Sequence, residues 1–185
     1  MAPKILFLAG SARKDSLNKK LAKVAYELAL EQGADATFID LRDFPMPIYD
    51  GDDEATDGLP ENAIKLKQLF IEHSGVFIAS PEYNSSFSAL LKNISRPHVE
   101  KERPLSAFSD KVAALASTSP GALGGLRGLV PLRMLLGNIQ VMVIPEQLAI
   151  GGGMTAFDDQ GKLTDEKQQR ALGLIVARLI SETSN

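Results

Sequence analysis

Residues 10–18 read GSARKDSLN and directly follow the apolar run KILFLA. Gly10 permits a tight turn, and Ser16 suits the N-cap of a helix that starts at Leu17. The unpaired backbone N–H groups of such a helix start point outward with the positive end of the dipole, so an anion is favoured there. Ser11, Ser16 and Asn18 add hydroxyl and amide donors, and Arg13 adds a guanidinium that can engage phosphate oxygens in bidentate fashion. The stretch lacks both the GxxxxGK[ST] of a P-loop and the GxGxxG of a dinucleotide fold, which favours one phosphomonoester over a pyrophosphate. An ordinary capped turn with Arg13 and Lys14 in solvent is the bland alternative.

A second unusual stretch is SPEYNSS at 80–86, after the apolar run GVFIA. Pro81 restricts the turn, Tyr83 offers a stacking face, and Glu82 and Asn84 bring polar groups to the end of a buried strand. That is a fitting rim for a planar heterocycle with hydrogen-bonding edges. The competing reading makes Glu82 a helix-capping acid and Tyr83 a half-buried interface aromatic.

Positioning these residues requires regular elements, and short apolar runs alternate along the chain with helical periodicity. The spacing predicts strands over Lys4–Ala9, Ala36–Leu41, Gly75–Ser80, Lys111–Thr118 and Ile139–Glu146. Three of these runs are apolar nearly throughout, as strands buried on both faces of a parallel sheet must be. Between them Leu17, Leu21, Val24 and Leu28 form one apolar helical stripe; Leu66, Leu69 and Phe70 form another, and Leu172, Ile175, Val176 and Leu179 a third. Five strands alternating with helices give an α/β fold, a flavodoxin-like doubly wound five-stranded parallel sheet expected in the order 2-1-3-4-5, within a single domain over residues 1–185. In that order the winding reverses between strands one and three, so both unusual stretches face one crevice.

Composition narrows the function. The chain has 185 residues, 44% of them hydrophobic, enough for one sizeable core. A net charge of −3 supplies no global basic field for nucleic acid or an anionic membrane. The absence of cysteine excludes disulfides, thiolate metal sites and dithiol chemistry, so a redox role requires a borrowed cofactor. No run approaches the roughly 20 apolar residues of a membrane span, and the N-terminal apolar stretch is shorter than the roughly 7 to 15 residues of a signal peptide. A soluble cytoplasmic protein is expected.

GSxRxxSxN after the first strand together with PEYN after the third resembles the NADPH-dependent FMN reductase family, which includes quinone, chromate and azo reductases of flavodoxin-like fold. A third stretch, STSPGALGG at 117–125, stands where that family carries a similar Ser-Pro-Gly-Gly segment. The resemblance implies that Ser11, Arg13, Ser16, Leu17 through its backbone, and Asn18 hold the FMN phosphate. It implies further that Pro81, Glu82, Tyr83 and Asn84 line the isoalloxazine and that Ser117 and Gly121 approach its other side. NADPH or NADH would then donate hydride, and a small acceptor such as a quinone, chromate, an azo compound or free flavin would receive the electrons. No catalytic acid or base is required, because the cofactor carries the chemistry. After PEYN the chain reads LKNISRPH where relatives tend toward LKNAIDW, a departure that concerns the shape of the substrate pocket.

Other candidates carry less. Asp50, Asp52, Asp53, Glu54 and Asp57 lack Ca-loop spacing and are expected in a solvated loop. His73 is expected near a helix end and His98 in a loop, neither with a second metal ligand. Gly151–Gly153 is expected to be a loop, and Thr164–Glu166 a helix cap. Between Leu126 and Leu136 apolar residues cover nearly every face of the expected helix, which predicts a homodimer or homotetramer. The competing function is a flavodoxin-type electron carrier or redox-sensing FMN-binding protein. Against it stand the arginine in the phosphate loop and the lack of tryptophan.

Overall fold

The computed structural model describes residues 2–95 and 105–184. Its centre is a parallel sheet of five strands, β1 (Lys4–Ala9), β2 (Asp35–Ile39), β3 (Gly75–Ala79), β4 (Val112–Thr118) and β5 (Met142–Ile150), in the order β2-β1-β3-β4-β5. Around it lie α1 (Leu17–Glu31), α2 (Gly51–Asp57), α3 (Glu61–Glu72), α4 (Ala89–Ile94), α5 (Leu126–Asn138) and α6 (Glu166–Thr183). The strand order is the expected one, and no described helix is long and apolar enough to cross a membrane.

Successive strand residues point to opposite faces, so β1 feeds two cores. Ile5, Phe7 and Ala9 join Leu21, Ala25, Leu172 and Val176 under α1 and α6. Leu6 and Leu8 join Leu66, Phe70, Leu129 and Leu132 under α3 and α5. Both faces of β1, β3 and β4 are covered, which is why their sequences read as unbroken apolar runs.

Three local expectations are corrected. β5 begins at Met142 rather than Ile139: Ile139 is the C-cap of α5, and Gln140, at φ 68°, turns the chain toward the sheet. The strand then runs on to Ile150 and accommodates Pro145, because it stands at the edge of the sheet and among the described residues pairs only with β4. β2 ends at Ile39, and Leu41 is buried instead in a short 3-10 turn, Leu41–Asp43. The acidic residues after Tyr49 form α2, with the Asp50 carboxylate capping it by accepting the Asp52 N–H, in place of the expected loop.

His73 does end α3, as its position before Gly75 suggested. Its Nδ1 lies 2.7 Å from the Leu69 carbonyl and its Nε2 lies 2.8 Å from the Thr37 hydroxyl, so the ring closes the helix end inside the protein. Lys111 donates to the His73 carbonyl at 2.6 Å. Burial holds that ammonium below the ordinary lysine range, partly opposed by the neighbouring Asp110 carboxylate. His98 lies outside the described residues.

Candidate functional site

The β1–α1 loop crosses the carboxyl end of the sheet at the point where the winding reverses. Its glycine is needed for close approach rather than for a left-handed turn. A side chain at Gly10 would collide with Leu91 of α4, its Cβ 2.5 Å from Leu91 Cγ, and would press on Pro81 Cδ at 3.2 Å. The Gly10 amide donates to Ala79 of β3 at 2.9 Å, and Ser88 Oγ donates to the Gly10 carbonyl at 2.7 Å. Ser88 also caps α4 by accepting the Leu91 N–H, so one hydroxyl ties the β1–α1 loop to the β3–α4 loop.

Ser16 caps α1, its Oγ accepting the Lys19 N–H at 3.4 Å. The N–H groups of Leu17 and Asn18, in the first turn, have no carbonyl to reach within the helix. Ser11 Oγ accepts the Arg13 N–H at 3.3 Å. Ser11 and Ser16 are both 5% exposed, and among the described residues neither hydroxyl has an acceptor for its own hydrogen. Two amides and two hydroxyls within residues 11–18 are therefore left as donors with no acceptor among the described residues, and the exposed Arg13 belongs to the same loop. This donor set fits a phosphate dianion.

Asn18 is placed differently from a simple phosphate donor. Its Nδ2 donates to the Thr118 carbonyl and its Oδ1 accepts the Thr118 N–H, both at 3.0 Å, inside the protein. The amide side chain thus clamps α1 to the end of β4, leaving the Asn18 backbone N–H for an anion. Asp40 and Arg42, two residues that the sequence reading passed over, tie the end of β2 to α1 and to this loop. Lys19 pairs with Asp40 at 2.6 Å, and Arg42 Nε donates to the Ala12 carbonyl at 3.3 Å. Their only sequence signal is a charged cluster just after the second strand.

In the β3–α4 loop the Tyr83 N–H donates to the Ser86 carbonyl at 2.8 Å and the Ser86 N–H returns to the Tyr83 carbonyl at 3.0 Å. Between them Asn84 and Ser85 both have positive φ, 50° and 64°, the signature of a type I′ turn. Asn adopts this conformation readily, whereas Ser85 is strained in it. The turn presents Tyr83, half exposed, beside the crevice. Its neighbour Glu82 pairs with Arg127 in the first turn of α5, with Oε1 3.0 Å from Nε. Gly128 makes room for this: a Cβ there would lie 3.2 Å from Glu82 Cβ and 3.1 Å from the Ser86 carbonyl.

The β4–α5 loop forms the third wall. Ser117 is fully buried and its Oγ donates to the Gly124 carbonyl at 2.7 Å, so its side chain shapes this loop from within. Gly121 is exposed, and its carbonyl accepts N–H groups from Gly124 at 3.2 Å and Gly152 at 3.3 Å. Gly151–Gly153 is more than the expected loop. Side chains at Gly151 and Gly153 would strike the Ala122 carbonyl and Thr118 Oγ1 respectively, so the triplet lets the chain after β5 lie flat on this wall. A cavity of about 290 Å³ opens elsewhere, lined by Tyr49, Asp53, Pro60 and Asn93 among others; it contains none of these loop residues.

Residues 3–155 match the family model for NADPH-dependent FMN reductase, a span that takes in all three walls and the glycine triplet. The chain belongs to the NADPH-dependent FMN reductase family. Within it, the chain is 34% identical over 168 residues to a quinone reductase of Pseudomonas putida, covering 88% of this chain and 85% of that one. It is 32% identical to an NADPH:quinone oxidoreductase of Arabidopsis thaliana, covering 95% and 89%. Among solved structures, the flavoenzyme NAD(P)H:(acceptor) oxidoreductase FerB of Paracoccus denitrificans superimposes with a TM-score of 0.82 at 29% identity, covering 99% and 98%. An archaeal flavodoxin superimposes with a TM-score of 0.62 at 8% identity, a likeness of fold alone. As a member of this family the protein is an oxidoreductase, with FMN as its cofactor and NAD(P)H as its hydride donor.

Proposed function

We propose that the three-walled crevice holds FMN and that the enzyme passes electrons from NAD(P)H to a small quinone, as a homo-oligomer in the cytoplasm, with residues 1–185 forming one FMN-binding domain. The observation that supports this reading is that the Leu17 and Asn18 amides and the hydroxyl hydrogens of Ser11 and Ser16 have no acceptor among the described residues, in the loop and helix start that follow β1 at the sheet's switch point. Arg13 would add charge to the phosphate from the open side. Pro81, Glu82, Tyr83 and Asn84 would border the ring on one side, chiefly through backbone groups of a turn fixed by the Tyr83–Ser86 hydrogen bonds. Ser117 and Gly121 would shape the opposite wall, Ser117 by holding Gly124 and Gly121 by leaving its own surface open.

When bound, FMN would supply the electron transfer itself, while the protein supplies orientation and hydrogen bonds. The choice of a quinone rests on the relatives from Pseudomonas putida and Arabidopsis thaliana, which are named for quinone reduction. A homo-oligomer is supported by α5, where Leu126, Val130 and Met134 are 41%, 66% and 65% exposed along one helical face while Leu129, Leu132 and Leu136 fill the core.

The test is steady-state turnover of NADPH with 1,4-benzoquinone and no partner protein. Parallel double-reciprocal lines at several quinone concentrations are expected, because donor and acceptor would use one face in turn. NADPH consumption that requires an added protein partner would make the molecule an electron carrier instead.

A further inference from the structure

The Arg127–Glu82 pair joins two walls of the crevice, and its electrostatics have no local explanation. Arg127 stands in the first turn of α5, where the helix dipole disfavours a cation, and that turn contains no acidic residue of its own. Its guanidinium side chain is 62% exposed, whereas the Glu82 side chain is only 11% exposed. Glu82 is therefore the partner that needs the pair: a carboxylate withdrawn from water must be matched by a cation. Gly128 leaves room for the arrangement, since a Cβ there would lie 3.2 Å from Glu82 Cβ and crowd it. Pro81, immediately before it, packs on the Gly10 turn, which ties this carboxylate to the same rigid corner as the phosphate donors.

We propose that Arg127 is a positioning residue that acts through Glu82, cancelling a carboxylate beside the crevice and so setting how readily bound FMN is reduced. The proposal rests on the placement of FMN given above. Each hydride delivered to the crevice brings one negative charge. An unpaired carboxylate nearby opposes that charge, and the Arg127 guanidinium offsets the carboxylate. For charges within about 10 Å at an effective dielectric of about 20, the interaction corresponds to roughly a tenfold change in an equilibrium constant.

The experiment is an equilibrium reduction of FMN-loaded protein against a reference dye, for wild type, Arg127→Met, Arg127→Lys, Glu82→Gln and the double variant Glu82→Gln/Arg127→Met. Arg127→Met should favour oxidised over reduced FMN by about tenfold, a fall of about 30 mV in a two-electron midpoint. Glu82→Gln should shift it about tenfold the other way, and Arg127→Lys and the double variant should return to within about twofold of wild type. A merely structural pair would not be rescued by removing its second member. Arg127→Met within twofold of wild type, or a double variant as displaced as Arg127→Met, overturns the proposal. If Arg127→Met does not fold, an unchanged midpoint in Glu82→Gln overturns it equally. FMN-induced shifts of the Leu17 and Asn18 amide resonances are recorded on the wild type alongside. If those amides respond while the midpoints stay fixed, only the role of Arg127 fails; if they do not respond, the placement of FMN fails with it.

Discussion

Replacing Asn18 with alanine separates two roles that one residue can play at this site. In the structure its amide satisfies both the N–H and the carbonyl of Thr118, and the two residues are 4% and 2% exposed. Alanine leaves two buried backbone groups without partners, at about 1–3 kcal/mol each, so the apo protein should lose roughly 2–6 kcal/mol. At about 2–4 °C per kcal/mol for a chain of this size, the melting temperature should fall by roughly 4–24 °C. Asn18→Asp tests the same geometry more narrowly. It can still accept the Thr118 N–H but sets a carboxylate against the Thr118 carbonyl, so it should recover less than half of the loss. Urea unfolding of the apo forms gives the stabilities, and fluorescence titration with FMN and riboflavin gives the affinities. Because the clamp aligns α1 with β4 and not the phosphate alone, both flavins should weaken together. An Asn18→Ala protein as stable as wild type that loses FMN but keeps riboflavin would refute the clamp and make the side chain a phosphate ligand.

Arg13→Ala should weaken FMN by about 10-fold to 150-fold and leave riboflavin nearly unchanged, since a charge-assisted hydrogen bond contributes roughly 1.5–3 kcal/mol and acts on the phosphate alone. Exposure of Arg13 favours the lower end, and raising the salt in the same titration should shrink the difference. Ser85→Gly relieves a left-handed residue at φ 64° and should raise the urea-unfolding free energy by about 0.5–1 kcal/mol, whereas Ser85→Val should lower it. Glutamates at Val130 and Met134 should convert the proposed homo-oligomer to monomer in sedimentation velocity without loss of secondary structure, because both side chains are largely exposed outside the core.

The sheet was legible because its evidence is local. An apolar run such as KILFLA records a strand buried on both faces, and a stripe such as Leu172, Ile175, Val176 and Leu179 records a helix lying on one. The ends of elements were less legible. Ile139 and Leu41 are apolar enough to extend a strand, but one closes a helix and the other fills the core from a 3-10 turn. Apolarity reports burial, not the backbone conformation that achieves it.

The crevice divides along the same line. Residue types and spacing by themselves determined that GSARKDSLN, SPEYNSS and STSPGALGG close the carboxyl ends of three strands, and that Ser16 caps the helix after the first. Only the tertiary structure decided what each polar side chain does there. Asn18 meets Thr118 across 100 positions of sequence, Glu82 meets Arg127 across 45, and Ser88 meets Gly10 across 78. The glycines at 10, 128, 151 and 153 are likewise required by neighbours far along the chain. A side chain takes its partner from whatever the packed strands bring within about 3 Å, and that distance is set by the whole sheet rather than by the residues on either side.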